Sequence, residues 1–205
     1  MLFRSFAAGA AVVSLLLQIG VNYANDYSDG IRGTDQDRVR TGGPVRLVGQ
    51  GLAAPAAVKR AAMVCFALAA LVGLTVAAAS GHWAVVGIGA AAIPAAWFYT
   101  GGTRPYGYAG LGELFVFVFF GLAAAAGTEL VQTGSVTTAT WLLGSGQGLL
   151  ASAVLMVNNV RDIATDIEHG KRTLATRLGD RRARSARSEE HTSELQSRFG
   201  ISYAV

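Results

Sequence analysis

The chain has 205 residues, of which 52% are hydrophobic and 15% charged, with a net charge of +4. Soluble domains of this size carry about 25% charged residues. The deficit lies in long stretches with no charge at all and accompanies a mean hydropathy of +0.40, which excludes an ordinary soluble core; the expected fold class is all-α, a polytopic transmembrane helical bundle whose many Ala and Gly let helices approach closely.

Five spans are predicted in chain order, at roughly 5–24, 54–79, 83–100, 111–131 and 140–160. The first starts after Arg4 and ends in "NYANDYSD", which delivers Asn22, Asn25, Asp26 and Asp29 to the end of an apolar helix. A loop with Arg32, Asp35, Asp37, Arg38, Arg40 and Arg46 follows, and Lys59 and Arg60 stand just beyond it. The second span holds the single cysteine, Cys65, read as a small packed hydrophobe. The connection "SGHW" contains His82, to which no chemistry is assigned. The third span contains Pro94, expected to kink it, and ends in Trp97, Phe98 and Tyr99. "TGGTRPYGYAG" adds Arg104, and Glu113 opens the fourth span, where it either starts a helix, orients Arg104 or contacts a substrate. The fourth connection has no Lys or Arg. The fifth span ends in "NNVRDIATD", with Asn158, Arg161, Asp162 and Asp166, followed by His169, Lys171, Arg172, Arg177, Arg181, Arg182 and Arg184.

Basic connections alternate with connections lacking Lys and Arg, and by the positive-inside rule the basic ones are cytoplasmic. The two Asp- and Asn-rich clusters are separated by four crossings, so both face one compartment and can converge. Their spacing repeats: Asn25 and Asp29 are four apart, as are Asn158, Asp162 and Asp166, which puts each set on one helical stripe. Several carboxylates gathered at a half-buried helix end repel one another, and a hard divalent cation relieves that cost. Mg²⁺ takes oxygen ligands, keeps several waters and bridges carboxylates to substrate phosphates. The expected metal ligands are therefore Asn25, Asp26, Asp29, Asn158, Asp162 and Asp166, with Asp26, Asp29, Asp162 and Asp166 as the catalytic carboxylates. The expected substrate contacts are Asn22, Arg46, Tyr99, Arg104, Lys171 and Arg172, with Arg46, Lys171 and Arg172 reaching phosphate oxygens. A transporter with an acidic pathway places its ionisable residues near mid-span; here they stand at span ends.

"NDYSDGIRGTD" and "NNVRDIATDIEHGKRTLATRLGD", supported by "GPVRLVGQGL" and "WFYTGGTRPYGYAGLGELFVFVFFG", resemble the UbiA superfamily of intramembrane aromatic prenyltransferases over about residues 5–186. Within it they look like the menaquinone-pathway branch of a high-GC actinobacterial type. The superfamily's first motif has a further Asp where this chain has Gly33, and the branch resembles this sequence in having Asp two residues later, here Asp35. The resemblance implies Mg²⁺-dependent transfer of a polyprenyl group from its diphosphate to 1,4-dihydroxy-2-naphthoate, giving demethylmenaquinone with loss of CO₂ and diphosphate. It implies a lipid bilayer as surroundings, a multi-pass place in the cell membrane, and no nucleic acid or obligate protein partner. Alternative acceptors in the same superfamily are 4-hydroxybenzoate, homogentisate and chlorophyllide. The CDP-alcohol phosphatidyltransferases also use Asp-rich membrane helices, but their single DG-x2-AR motif is absent.

The family has about nine spans, with one before the first Asp-rich motif, so residues 1–186 are expected to be part of such a domain and inactive alone. From Arg187 the chain reads "RSEEHTSELQS" and closes on "ISYAV". Put back into suitable codons, both pieces resemble parts of a common short-read sequencing adapter in one frame. Residues 187–205 are therefore expected to be foreign, with the natural protein continuing past Ala186.

Overall fold

The structure is a computed structural model that describes residues 2–35 and 44–179. Asp37, Arg38, Arg40, Arg181, Arg182, Arg184 and the tail from Arg187 lie outside the described residues. Helices make up nearly all of the regular structure: α1 (Leu2–Arg32), α2 (Pro55–Ser80), α3 (Ala84–Phe98), α4 (Gly112–Thr133), α5 (Thr138–Arg161), and the short α6 (Ile163–Glu168) and α7 (Leu174–Leu178). By length and composition α1, α2, α4 and α5 can each cross a membrane. The chain is a membrane protein built as a polytopic helical bundle.

Two of the expected spans differ in extent. The first does not stop at residue 24 but runs on to Arg32, so "NYANDYSD" is helical and its three- and four-residue spacings hold as a stripe. The third is shorter than expected, because α3 has 15 residues. The reason lies in its end. Tyr99 is still helical, but Gly101 and Gly102 follow, and Gly102 takes φ +78°, a conformation that costs glycine little. The turn that follows α3 is held by Arg32, whose guanidinium donates to the Thr100 and Gly102 carbonyl oxygens. Pro94 lies inside α3.

Close approach through small residues fixes the packing. A Cβ on Gly9 would lie 2.6 Å from Val76, and one on Gly20 would lie 2.6 Å from Phe66. Rising numbers on α1 thus meet falling numbers on α2, and the two helices are antiparallel with Ala24, Ala62 and Phe66 buried between them. Cys65 packs at the same seam, its Cβ 3.3 Å from where a Gly20 Cβ would be. Helices α4 and α5 pair in the same way. A Cβ on Gly121 would lie 2.4 Å from the Gly144 carbonyl oxygen and 2.6 Å from Gly148 Cα, so the backbones touch, as small residues permit in membranes. In this contact α4 widens to a π-helical stretch over Phe117–Ala123. At the far end of the pair, Glu129 accepts from the Thr137 N–H at 2.9 Å and its hydroxyl at 3.0 Å, and from the Thr140 hydroxyl. It satisfies donors at the start of α5.

The outer face of α5 is strongly apolar and open, with Leu142, Leu143, Leu149, Leu150 and Val154 exposed. Lipid is the natural solvent for such a face.

Candidate active site

Three connections meet at one end of the bundle. The segment after α1, the loop between α3 and α4, and the residues after α5 are tied together there by hydrogen bonds to Tyr108, which lies in the 3₁₀ turn Tyr106–Ala109. The Tyr108 hydroxyl donates to Asp29 Oδ1 at 2.7 Å and lies 3.2 Å from the Thr34 hydroxyl, while its carbonyl accepts the Arg172 N–H at 3.0 Å. The Arg32 guanidinium and the Lys171 ammonium each stand 5.3 Å from its ring centroid, a cation–π arrangement that fixes the ring. The convergence of both polar clusters, expected from the alternation of basic loops, is therefore present.

They converge on one cavity of about 820 Å³. At its polar end are Asn22, Asn25 and Asp29 from α1, Asn158, Asn159 and Asp162 from α5 and its end, and Arg46 and Lys171 from the connections. Tyr99, Tyr106, Phe115 and Phe119 form one wall. Tyr106 and Phe115 stack with ring centroids 4.0 Å apart, and Tyr99 meets Tyr106 edge-on at 5.6 Å. Away from the polar end the lining is mostly apolar, with Ala10, Val13 and Leu17 on α1, Val76 on α2, Val85 on α3 and Val131 on α4, and with Ser14, Gln18, Thr128 and Gln147 among them. On α1 alone the lining runs from Ala10 to Asp29, about 28 Å at the ordinary helical rise.

The individual carboxylates have different surroundings. Asn25 accepts from the Thr100 hydroxyl at 2.9 Å, which ties α1 to the end of α3. Asp26 points away from the cavity and accepts the N–H groups of Leu47 and Val48. Asp162 makes a two-pronged hydrogen bond with Arg161 at 2.8 and 2.9 Å. Asp166 is buried and lies 3.6 Å from Lys171 Nζ. Asp35 is 1% exposed and faces Arg46, with an oxygen-to-Nε distance of 3.8 Å.

Burial pushes the phenols of Tyr99, Tyr106 and Tyr108 up from the ordinary tyrosine value, and nearby Glu113 and Asp29 add to this at Tyr99, as Asp29 does at Tyr108. These hydroxyls therefore stay protonated at neutral pH, and those of Tyr106 and Tyr108 donate to the Ala95 carbonyl and to Asp29.

Of the substrate-contact residues expected from sequence, Asn22, Arg46, Tyr99 and Lys171 line the cavity, whereas Arg104 and Arg172 are exposed and outside its lining. Glu113 does not orient Arg104; its carboxylate accepts from Asn159 Nδ2 at 2.9 Å, joining the start of α4 to the end of α5. His169 is half-buried, with Nδ1 2.8 Å from the Thr165 carbonyl oxygen. His82 packs against Gly134 at the opposite end of the bundle. Sequence reading missed Tyr108, Thr100 and Asn159. Tyr108 sits in "RPYGYAG", where nothing separates it from any loop tyrosine, and its role appears only when three connections fold together.

Among the described residues, no three His, Cys, Asp or Glu side chains gather closely enough to hold a metal ion by themselves. The donors that face the cavity are all oxygen donors from two helices. This set fits a hard cation that keeps waters and completes its shell with substrate oxygens.

Comparison with known proteins agrees with the motifs. The UbiA prenyltransferase family matches residues 2–189. The 1,4-dihydroxy-2-naphthoate octaprenyltransferase of Mycobacterium tuberculosis is 55% identical over 175 residues, which is 85% of this chain and 59% of that protein. Proteins of the same name from Mycobacterium leprae and Escherichia coli are 51% and 42% identical, each over 85% of this chain and 58% of their own length. The chain thus spans less than two thirds of these relatives. No solved structure matches it. With the motifs, the bundle and the family match in agreement, the chain belongs to the UbiA prenyltransferase family.

Proposed function

We propose that this chain carries the diphosphate-binding part of a membrane prenyltransferase that moves a polyprenyl group from its diphosphate to 1,4-dihydroxy-2-naphthoate in menaquinone synthesis. One observation carries the reading. One cavity has a polar end lined by Asn, Asp, Arg and Lys side chains and a long, mostly apolar remainder. That shape and polarity match a molecule with an anionic head and an isoprenoid tail. The similarity to three octaprenyltransferases of that name supports the acceptor.

In this reading Asn25, Asp29, Asn158 and Asp162 would hold Mg²⁺, with Asp26 and Asp166 behind them. A bound divalent cation supplies stabilisation of the charge that develops on the departing diphosphate. Arg46 and Lys171 bind the phosphate oxygens directly. The allylic C–O bond breaks with its electron pair leaving on the diphosphate, the carboxyl-bearing carbon of the electron-rich naphthoate ring attacks the allylic carbon, and the ring–carboxylate bond then breaks, releasing CO₂ and returning its electron pair to the ring. The apolar walls hold the tail in line and keep water from the cation. The protonated Tyr99 phenol and the aromatic wall of Tyr106 and Phe115 face the space where the ring would approach. The polar end faces the cytoplasm, and donor tail and product both dissolve in the cell membrane.

The test uses membranes containing the full-length protein, supplied with octaprenyl diphosphate, Mg²⁺ and one acceptor at a time. Product should form with 1,4-dihydroxy-2-naphthoate and not with 4-hydroxybenzoate or homogentisate, and Asp29→Ala or Asp162→Ala should abolish it with membrane insertion intact. Turnover retained by either variant would remove the diphosphate reading. Turnover with a different acceptor would move the protein to another branch.

A further inference from the structure

We propose that Asp26 is a positioning residue: it pins a strap, residues 44–54, across the end of α1 and so holds Arg46 at the polar end of the cavity. The inference rests on the diphosphate reading for the task of Arg46, and on the geometry alone for the strap.

The strap is a compact turn closed by its own backbone hydrogen bonds. The N–H groups of Leu52 and Ala53 donate to the Leu47 carbonyl at 2.8 and 3.0 Å, and the Gly51 N–H donates to the Val48 carbonyl at 3.0 Å. Its first donors, the N–H groups of Leu47 and Val48, point out of the turn, as the leading donors of any helical turn do. Asp26 meets both. Oδ2 accepts from Leu47 and Oδ1 from Val48, each at 2.9 Å, and the residue is 5% exposed. Two hydrogen bonds to one buried carboxylate are stronger and more directional than neutral ones.

The seating is close on both sides. A Cβ on Gly30 would lie 2.5 Å from Val48 Cγ1, and one on Gly49 would lie 2.7 Å from Asp35 Cβ. Both positions need glycine for the strap to lie this low on α1. Arg46 precedes the pinned pair by one residue, faces Asp35 and lines the cavity. Asp26 itself does not line it, although Asn22, Asn25 and Asp29 on the same helix do. Asp26 stands at the edge of the cavity stripe, about 100° round from Asn25, and its carboxylate is turned to the strap. Asp26 therefore acts on the site through the backbone of Leu47 and Val48.

The experiment uses the full-length protein in lipid nanodiscs, with farnesyl diphosphate as probe. Amide exchange at Leu47 and Val48 and Mg²⁺-dependent binding are measured for wild type, Asp26→Asn, Gly30→Ala, Arg46→Gln, Asp29→Asn and the Asp26→Asn/Arg46→Gln pair. Asp26→Asn should speed exchange at the two amides about tenfold or more, since a buried carboxylate acceptor is lost. It should weaken binding about as much as Arg46→Gln does, and the pair should be no weaker than Arg46→Gln alone. Gly30→Ala should copy Asp26→Asn while leaving every carboxylate in place. The Mg²⁺ concentration for half-maximal binding should shift in Asp29→Asn and stay put in Asp26→Asn. Unchanged exchange at Leu47 and Val48, additive losses in the pair, or a Mg²⁺ shift in Asp26→Asn matching that of Asp29→Asn would each overturn the proposal. If wild type failed to bind farnesyl diphosphate, the diphosphate reading and the task given to Arg46 would fall together, and amide exchange would still decide whether Asp26 holds the strap.

Discussion

Asp29 is the residue on which the polar end turns, and Tyr108 holds it. The phenol donates at 2.7 Å from a loop far away in sequence, and Arg32 and Lys171 clasp the ring. Outer partners of this kind typically change metal or anion affinity by 10–100-fold when removed. Tyr108→Phe should therefore weaken Mg²⁺-dependent diphosphate binding by about tenfold while costing only about 1–2 kcal/mol of stability, one charge-assisted hydrogen bond. Isothermal titration and thermal unfolding in nanodiscs separate the two effects. The pH dependence has a definite sign. Burial raises the Tyr108 phenol in the folded chain, so its contribution is complete below the ordinary tyrosine pKa of about 10 and is lost only as pH rises above it. A loss of binding near neutral pH that Tyr108→Phe removes would contradict this. Asp29 and Asp162 were legible from spacing and polarity alone. Tyr108 was not, because a hydrogen bond across three connections leaves no local mark in sequence.

At the scale of elements, hydropathy located the helices better than it located their ends. The apolar signal of α1 fades at Asn22, yet the helix continues to Arg32. Its last turns are covered by the strap and by Tyr108, so lipid is not needed to support them. In α3 the error runs the other way: the aromatic residues to Tyr99 extend the apolar run, but Gly101 and Gly102 break the helix. Glycines in α4 and α5 read only as small residues in sequence, whereas three of them are contact points between backbones. A side chain at Gly121 would strike the backbone of α5 at Gly144 and Gly148, where no rotamer change gives relief. Gly121→Val should destabilise the α4–α5 pair by at least about 2 kcal/mol, the overpacking range. A smaller change is expected at Gly127, where the nearest atom to a new Cβ is 3.6 Å away. Thermal unfolding of the two variants in one detergent compares them, and equal loss would mean that the α4–α5 contact is not as tight as described.

At the scale of the whole molecule, alternating basic loops and span parity predicted that the two polar clusters share one end of the bundle, and both line one cavity. Which arginines enter the cavity was hidden: Arg46 does, while Arg104 and Arg172 stay outside its lining. The same parity predicts sidedness. A cysteine placed at Arg104 should react with impermeant maleimide from the cytoplasmic face of oriented vesicles, and one placed at His82 from the opposite face. Labelling of both from one side would break the topology. The central claim is that two polar clusters, one on α1 and one at the end of α5, form a single diphosphate site. The most direct measurement is equilibrium binding of labelled geranylgeranyl diphosphate to the protein in nanodiscs, with and without Mg²⁺. The account predicts Mg²⁺-dependent binding that both Asp29→Asn and Asp162→Asn weaken by at least about tenfold; wild-type affinity in either variant would contradict it.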